Sequence, residues 1–321
     1  MHKAKIDLPV LLIFFTRPDT FKKVFEKVKE ARPSKLFLAC DGPRPGRDDA
    51  EKIAECKKIA EDIDWECEVY TNYADANMGC GIRPQSAIGW ALSIVDRIVI
   101  LEDDCVPDLT FFPYMAELLE KYKDDERICM VSGLNHFKEW DCGGYSYGFA
   151  QNAAIWGWGT WARVWKTYDY TVSTVENPYI RKLLKNNITH KRASEGRLAI
   201  WSKTVKRLAE GESLSYWDSQ FGYVKFSQGQ LGIFPKENLI FNIGVGINST
   251  HANIQIKDNK WKKGMLHFIP TAPMEIPLKC PEFVICDREY DNAVDNKWAH
   301  PNKFIRKAKR VVRGIKKVFK V

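Results

Sequence analysis

The chain has 321 residues, 45% of them hydrophobic, with nine cysteines and a net charge of +8. The length suits one large domain or two modest ones. The odd cysteine count, with no CxxC spacing, argues for reduced thiols in a cytoplasmic compartment and against a disulfide framework or a zinc site. Nine Lys/Arg and no acid fall in residues 303–321, so the remaining body is near neutral and the basicity belongs to a tail.

The N-terminal "MHKAKIDLPVLLIFFTRPD" places basic residues before the apolar run Leu8–Phe15. The run ends at Thr16-Arg17-Pro18-Asp19 without a small-residue cleavage site and is too short to span a bilayer, so it reads as a first buried strand. Strand Val10–Thr16 leads into an amphipathic helix ending at Ala31, then strand Lys35–Asp41 and a helix over Arg47–Ile63. Cys67–Asn72, Ile98–Glu102 and Ile128–Gly133 are further strands, with helices over Arg83–Val95 and Pro107–Lys123 between them. Continuous apolar strands alternating with helices predict an α/β fold with a mostly parallel sheet covered on both faces. After residue 135 the alternation breaks. An aromatic stretch is followed by helical segments at 177–185, 191–209 and 217–227, then strand-like runs at Leu231–Phe234 and Leu239–Ile243.

In such sheets ligands bind beyond the carboxyl ends of the strands. The fourth strand ends there in Glu102-Asp103-Asp104, three carboxylates at the edge of an apolar core. Crowded like charges favour protonation, so the arrangement calls for a positive partner. A hard divalent ion such as Mn²⁺ or Mg²⁺ meets that need and would recruit a diphosphate. A solvated acidic turn that caps the next helix is the plainer alternative.

The segment "VILEDDCVPDLTFFPYMAELLEKYKDDERICMVSGLN" resembles the core of GT-A-fold nucleotide-sugar glycosyltransferases. The likeness is to the N-acetylglucosaminyltransferase I type and to bacterial enzymes of polysaccharide assembly. The resemblance implies a GT-A (Rossmann-like) fold, with residues 1–135 as the nucleotide-sugar-binding half and 136–300 as the acceptor-side half of the same domain. It also implies that Asp104 ligates the metal while Glu102 and Asp103 contact donor sugar and ribose. Asp41, closing the second strand in "FLACDGPRP", would accept the uracil N–H, or else simply form an Asp-Gly-Pro turn. Arg17 could reach the base or phosphates, or pair with a nearby acid. Arg83, in "NMGCGIRPQ", could meet a phosphate from a glycine-lined helix start, or belong to a loop without a ligand.

"AIWGWGTWARVW" spaces Trp158, Trp161 and Trp165 as on a helix. The expectation is that Trp161 and Trp165 point inward while the Gly157-Trp158-Gly159 turn lines a sugar site. "SYWDSQFGY" places Asp218 after Trp217. An inverting transfer needs one general base for the acceptor hydroxyl, and the resemblance assigns that role to such a Trp-Asp; an N-cap is the alternative. His251 in "INSTH" is a further candidate for metal or phosphate.

Placed on a helix, residues 303–321 put Phe304, Ala308, Val311, Val312, Ile315, Val318 and Phe319 on one face among the cations. That pattern fits an anionic membrane surface, whereas a nucleic-acid arm would not need the apolar stripe. The whole predicts an inverting, metal-dependent transferase that uses a UDP-sugar at the inner face of the membrane. Its acceptor would be a glycan, lipid-linked by this reasoning. The rivals are a sugar-1-phosphate nucleotidyltransferase, whose glycine-rich loop after the first strand has no counterpart in "FFTRPDTF", and a non-catalytic carbohydrate-binding protein.

Overall fold

The structure is a computed structural model that describes residues 1–188, 190–244 and 269–299. His251 and residues 303–321, expected to touch metal and membrane, lie outside the described residues.

The first half alternates as its apolar runs predict. Strand β1 (Ile6–Phe14) leads to α1 (Pro18–Ala31), β2 (Pro33–Cys40), α2 (Ala50–Ala60), β3 (Glu68–Tyr73), α3 (Gly79–Leu92) and β4 (Arg97–Glu102). Helix α1 opens on Pro18, whose fixed φ suits a first helical position, and closes at Arg32 in a left-handed conformation before Pro33. Its Phe21, Val24, Phe25 and Val28 recur at helical spacing and are buried, each contributing about 1.5–3 kcal/mol of apolar burial. Helix α3 begins four residues earlier than its apolar pattern indicates, because Gly79–Ile82 form a first turn that carries no apolar signal.

A short strand β5 (Cys105–Pro107) takes the place of the first turn expected of the next helix, so α4 starts at Phe111 and ends at Lys121. Strands β6 (Ile128–Ser132), β7 (Tyr147–Ala150) and β8 (Trp158–Trp161) follow, then a single helical turn α5 (Ala162–Trp165). A 3₁₀ turn over Ser173–Glu176 precedes α6 (Pro178–Asn187), α7 (Lys191–Ala209) and α8 (Asp218–Ser227). The described chain closes with β9 (Leu231–Pro235), β10 (Ile240–Asn242) and α9 (Arg288–Ala299).

Eight strands form one sheet in the order β3-β2-β1-β4-β8-β6-β9-β7. Six of them run in one direction; β8 and β7 run against it. The fold is thus a mixed α/β, Rossmann-like sheet, mostly parallel and flanked by helices. Strand β8 corrects the helical reading of "WGTW": all four residues are buried, with Gly159 opposite Val99 on one side and Val131 on the other. Adding a Cβ at Gly159 would bring it within 2.9 Å of Leu119, so the small residue is required by sheet-to-helix packing.

A second, smaller core lies under α6, α7 and α8. It gathers Val172, Val175, Leu184, Ile188, Leu198, Trp201, Tyr223 and Phe226. No disulfide joins any of the nine cysteines, and no helix among the described residues is long and apolar enough to cross a membrane.

Candidate active site

Strand register decides which residues meet. Ile13 of β1 lies opposite Glu102 of β4 and Ala39 of β2, while Phe14 pairs with Cys40 and Cys40 with Tyr73. The loops leaving β1, β2, β3 and β4 therefore emerge along a single edge. Between Phe14 and Pro18 the chain has three residues in which to turn, and this places Arg17 over the end of β4.

There Arg17 answers the charge problem posed by the triplet. Its guanidinium grips Asp103 through two nitrogens, with Nε 3.3 Å from Oδ2 and Nη2 on Oδ1, and Nη1 donates to Asp104 Oδ2 at 2.9 Å. Burial works against the charge on Arg17, but Asp103 and Asp104 outweigh it and hold the group above its ordinary pKa. The relief is incomplete, because one guanidinium faces three carboxylates. Burial, then the charges of Asp104 and Asp103, push Glu102 upward, and burial likewise raises Asp103 despite Arg17.

Asp104 is held from a second side. Its Oδ1 accepts from Asn242 Nδ2 at 3.2 Å, and its carbonyl accepts from the Ile243 N–H at 2.9 Å. At Gly244 an added Cβ would sit 2.0 Å from Asp104 Oδ2, so this carboxylate requires a glycine beside it. Asn242 and Gly244 were not anticipated as site residues. The visible signal was an asparagine and a glycine interrupting the apolar run "LIFNIG".

Asp41 is buried and its two oxygens are fully engaged by its own neighbourhood. Oδ1 accepts from the Gly42 and Met78 N–H groups, and Oδ2 from Gly79 N–H and Asn77 Nδ2, all at 2.8–3.0 Å. The carboxylate thereby caps the start of α3, a position favoured by the helix dipole. Reading a base from these oxygens would require an internal donor to be given up. Arg83 is also buried, with Nη1 donating to Asn72 Oδ1 at 3.0 Å and Nη2 to the Asn72 carbonyl, and burial lowers its pKa. It ties α3 to the end of β3 beside Asp41; its two Nη groups meet Asn72 oxygens, while the buried Nε has no hydrogen-bond partner among the described residues.

Asp218 opens α8 and is exposed. Its charge adds to the upward shift of Glu102, which places it within electrostatic reach of the triplet. Trp217, just before it, stacks on Trp158 with ring centroids 6.0 Å apart, and the Trp217 carbonyl accepts from Tyr168. Trp158 is 1% exposed, so the indole supports the Asp218 segment from beneath and does not line a sugar site; Trp165 is the half-buried member. This corrects the expectation for Trp158, while Trp161 is buried and Trp165 packs against the core, as the sequence predicts. Gly157 is likewise a packing residue, since an added Cβ would fall 2.2 Å from Ile240 Cδ1.

The segment before Asp218 docks on α3. Cys80 Sγ donates to the Ser215 carbonyl at 3.0 Å, and a Cβ at Gly81 would lie 2.0 Å from the Leu214 carbonyl oxygen. Because that obstacle is backbone, Gly81→Ala should cost about 1–3 kcal/mol in urea unfolding and displace the Asp218 segment, lowering turnover as well. Unchanged stability together with full activity would show that this contact does not position Asp218.

Among the described residues no three His, Cys, Asp or Glu side chains converge as a preformed metal cage. The donor set nonetheless suits a hard divalent ion, since the triplet stays under-neutralised and such ions are commonly held by one or two carboxylates plus phosphates and water. Asp104 would be the protein ligand. Two surface clefts, of about 410 and 520 Å³, are lined by other residues than the triplet: the first by Tyr145 and Lys236, the second by Val106, Pro107 and Phe241, close in sequence to Asp104 and Asn242.

No protein-family model and no curated protein matches the chain. Among solved structures it is similar to 4-diphosphocytidyl-2C-methyl-D-erythritol synthase from Anaerococcus prevotii, at 10% identity over 77% of this chain and 97% of that one, with a TM-score of 0.36. It is similar to an apo UDP-glucose pyrophosphorylase at 9% identity, over 80% and 100% of the two chains, again with a TM-score of 0.36. HddC from Yersinia pseudotuberculosis aligns at 11% identity over 52% and 80%, with a TM-score of 0.30. Overlaps of this size leave the chain's fold and chemistry to be read from its own residues.

Proposed function

We propose that this chain is an inverting glycosyltransferase that moves a sugar from a UDP-sugar to a glycan acceptor carried on a lipid. The observation that carries the reading is the meeting of Arg17 with the Glu102-Asp103-Asp104 triplet at the carboxyl edge of a mostly parallel sheet, with Asp218 near enough for its charge to act on Glu102. Glu102 and Asp103 contact the donor's sugar and ribose hydroxyls, for which carboxylates are natural acceptors. Arg17, anchored at the triplet, stands where a diphosphate would approach and supplies fixed positive charge. Asp104 would hold Mg²⁺ or Mn²⁺, whose charge would offset that of the departing nucleoside diphosphate. Asp218 takes the proton of the acceptor hydroxyl as its oxygen attacks the anomeric carbon. Residues 303–321 hold the enzyme to the inner face of the membrane.

The second reading is nucleotidyl transfer to a sugar 1-phosphate, within the class of activity for which two of the matched structures are named. Against it stands the loop Phe15-Thr16-Arg17, which has no glycine to let backbone amides cradle a triphosphate and whose arginine is committed to carboxylates. One experiment separates the two. A thermal-shift panel of nucleotide sugars with Mg²⁺ should find one UDP-sugar that stabilises the fold, by about 2.7 kcal/mol at a hundredfold excess over Kd. UDP should then be released when a membrane lipid extract is added. Pyrophosphate release from UTP and a sugar 1-phosphate would decide for nucleotidyl transfer instead.

A further inference from the structure

We infer that the α6–α7 helical hairpin is a second membrane-contacting surface, which docks on anionic lipid headgroups and brings the Asp218 edge to the bilayer. Between Tyr179 and Ala209 the chain has nine Lys/Arg and one acid, Glu195. Lys182, Lys185, Lys191 and Lys203 are exposed and form no ion pair among the described residues. Among the described residues the hairpin's one i,i+4 ion pair joins Lys206 to Glu210 at its far end, and Lys182, Lys185 and Lys203 have no acid three or four residues away on the helix.

Charge alone would suit any polyanion. The apolar side chains make the choice. Tyr179 is 67% exposed and Leu183, one turn on along the same face of α6, is 48% exposed; Ile200 on α7 is 47% exposed. The opposite faces are spent on the small core, where Leu184, Leu198 and Trp201 are buried, so these three large side chains have no packing role. Arg181 Nη1 donates to Ser202 Oγ at 2.6 Å and fastens α6 to the middle of α7, so the two helices present their exposed side chains from one clamped unit. Tyrosine and leucine set among lysines match the headgroup boundary, where rings and alkyl chains enter the acyl edge while cations meet lipid phosphates. A nucleic-acid backbone would use the lysines and leave Leu183 and Ile200 in water.

The surface is coupled to the site by short covalent and polar links. At the end of α7, Arg207 pairs with Glu212 and donates to the Ser213 carbonyl. The next residues, Leu214 to Tyr216, rest on α3 and lead directly into Asp218. A bilayer against α6 and α7 would thus bear on the helix that leads within nine residues of α7's end to the candidate base, which suits an acceptor whose lipid stays in the membrane. The inference leans on the proposed function only for that acceptor; the lipid contact itself holds whichever transfer the site performs.

The test uses the full chain, tail included, in vesicle sedimentation with phosphatidylcholine alone or mixed with phosphatidylglycerol. Wild type should bind the anionic vesicles and release as salt rises. Lys182→Glu/Lys185→Glu and Tyr179→Ser/Leu183→Ser should each weaken binding about tenfold or more, with an unchanged circular-dichroism spectrum and urea midpoint as the sign of an intact fold. Hydrogen exchange on wild type should show new protection across α6 and α7 when anionic vesicles are added. If both variants sediment like wild type and α6–α7 exchange does not change, the tail alone holds the membrane and the inference fails. Tight binding to a DNA or RNA duplex that the lysine pair weakens but Tyr179→Ser/Leu183→Ser leaves intact would overturn it in favour of a nucleic-acid surface.

Discussion

Asp218→Asn is expected to leave UDP and UDP-sugar affinity within twofold of wild type while lowering the transfer rate roughly a hundredfold or more. Asparagine keeps the size of the side chain and can still begin α8, so the fold and the stack of Trp217 on Trp158 should persist. What it loses is the basic carboxylate that takes up the acceptor's proton, a contribution realised only in the transition state. The signature is thus a fall in kcat with donor KM unmoved. A matching loss in donor affinity would instead place Asp218 in the donor pocket. Normal turnover would move the base to another carboxylate, with Glu102 next in line because the two already sense each other's charge.

Much of the fold was legible in the sequence because its first half is built on local rules. Apolar runs of five to nine residues between amphipathic segments specify buried parallel strands, and β1, β2, β4 and β6 all follow that pattern. Strands β7 and β8 were not legible. Trp158, Trp161 and Trp165 happen to recur at helical intervals, and every residue of β8 is buried on both faces, so no alternation betrays a strand. Helix α9 was missed for a related reason. Its inward positions include Asp291 and Asp295 beside Tyr290 and Val294, so the buried face carries two acids and the apolar periodicity disappears. Those acids are satisfied by the loop after β7, where Asp291 accepts from the Gln151 and Asn152 N–H groups, and by Arg197 on α7, which pairs with Asp295.

The site was legible in its residue types and less so in its connections. A run of three carboxylates at the end of a buried strand demanded a cation, and the sequence offered Arg17 only as a group with several possible partners. Register supplies the missing information: the pairing of Ile13 with Glu102 puts the β1 loop directly over the triplet, 86 residues away in sequence. Asp41 and Arg83 illustrate the converse. Each is a charged residue at a strand end or helix start, as a ligand-binding group would be, yet Asp41 accepts from the turn that opens α3 and Arg83 donates to Asn72 at the end of β3. The sequence names the charged side chain but not its partners, which lie mostly dozens of residues away for Asp41 and on the preceding strand for Arg83.

Removal of the Asp104 charge should produce the largest change in donor binding. With wild type, UDP affinity in Mg²⁺ should exceed that in EDTA by about tenfold or more, equivalent to ~1.4 kcal/mol. In Asp104→Asn the two values should converge, because the carboxylate proposed to hold the ion has lost its charge. The pH dependence follows from the neighbouring carboxyls. Burial raises Glu102 and Asp103 above their unfolded values, so as pH rises past the ordinary carboxylate range the unfolded chain holds fewer protons than the folded one. These two groups therefore subtract stability from the unliganded protein as pH rises, until it passes their folded values. A divalent ion favours the ionised forms and offsets that loss. The gain in Tm from Mg²⁺ with UDP should accordingly be larger at pH 8 than at pH 5.5, and it should shrink at both in Asp104→Asn. Equal Mg²⁺ dependence of UDP affinity in the two proteins, measured by calorimetry, would sink the assignment of Asp104 and leave Arg17 as the cation the triplet was built around.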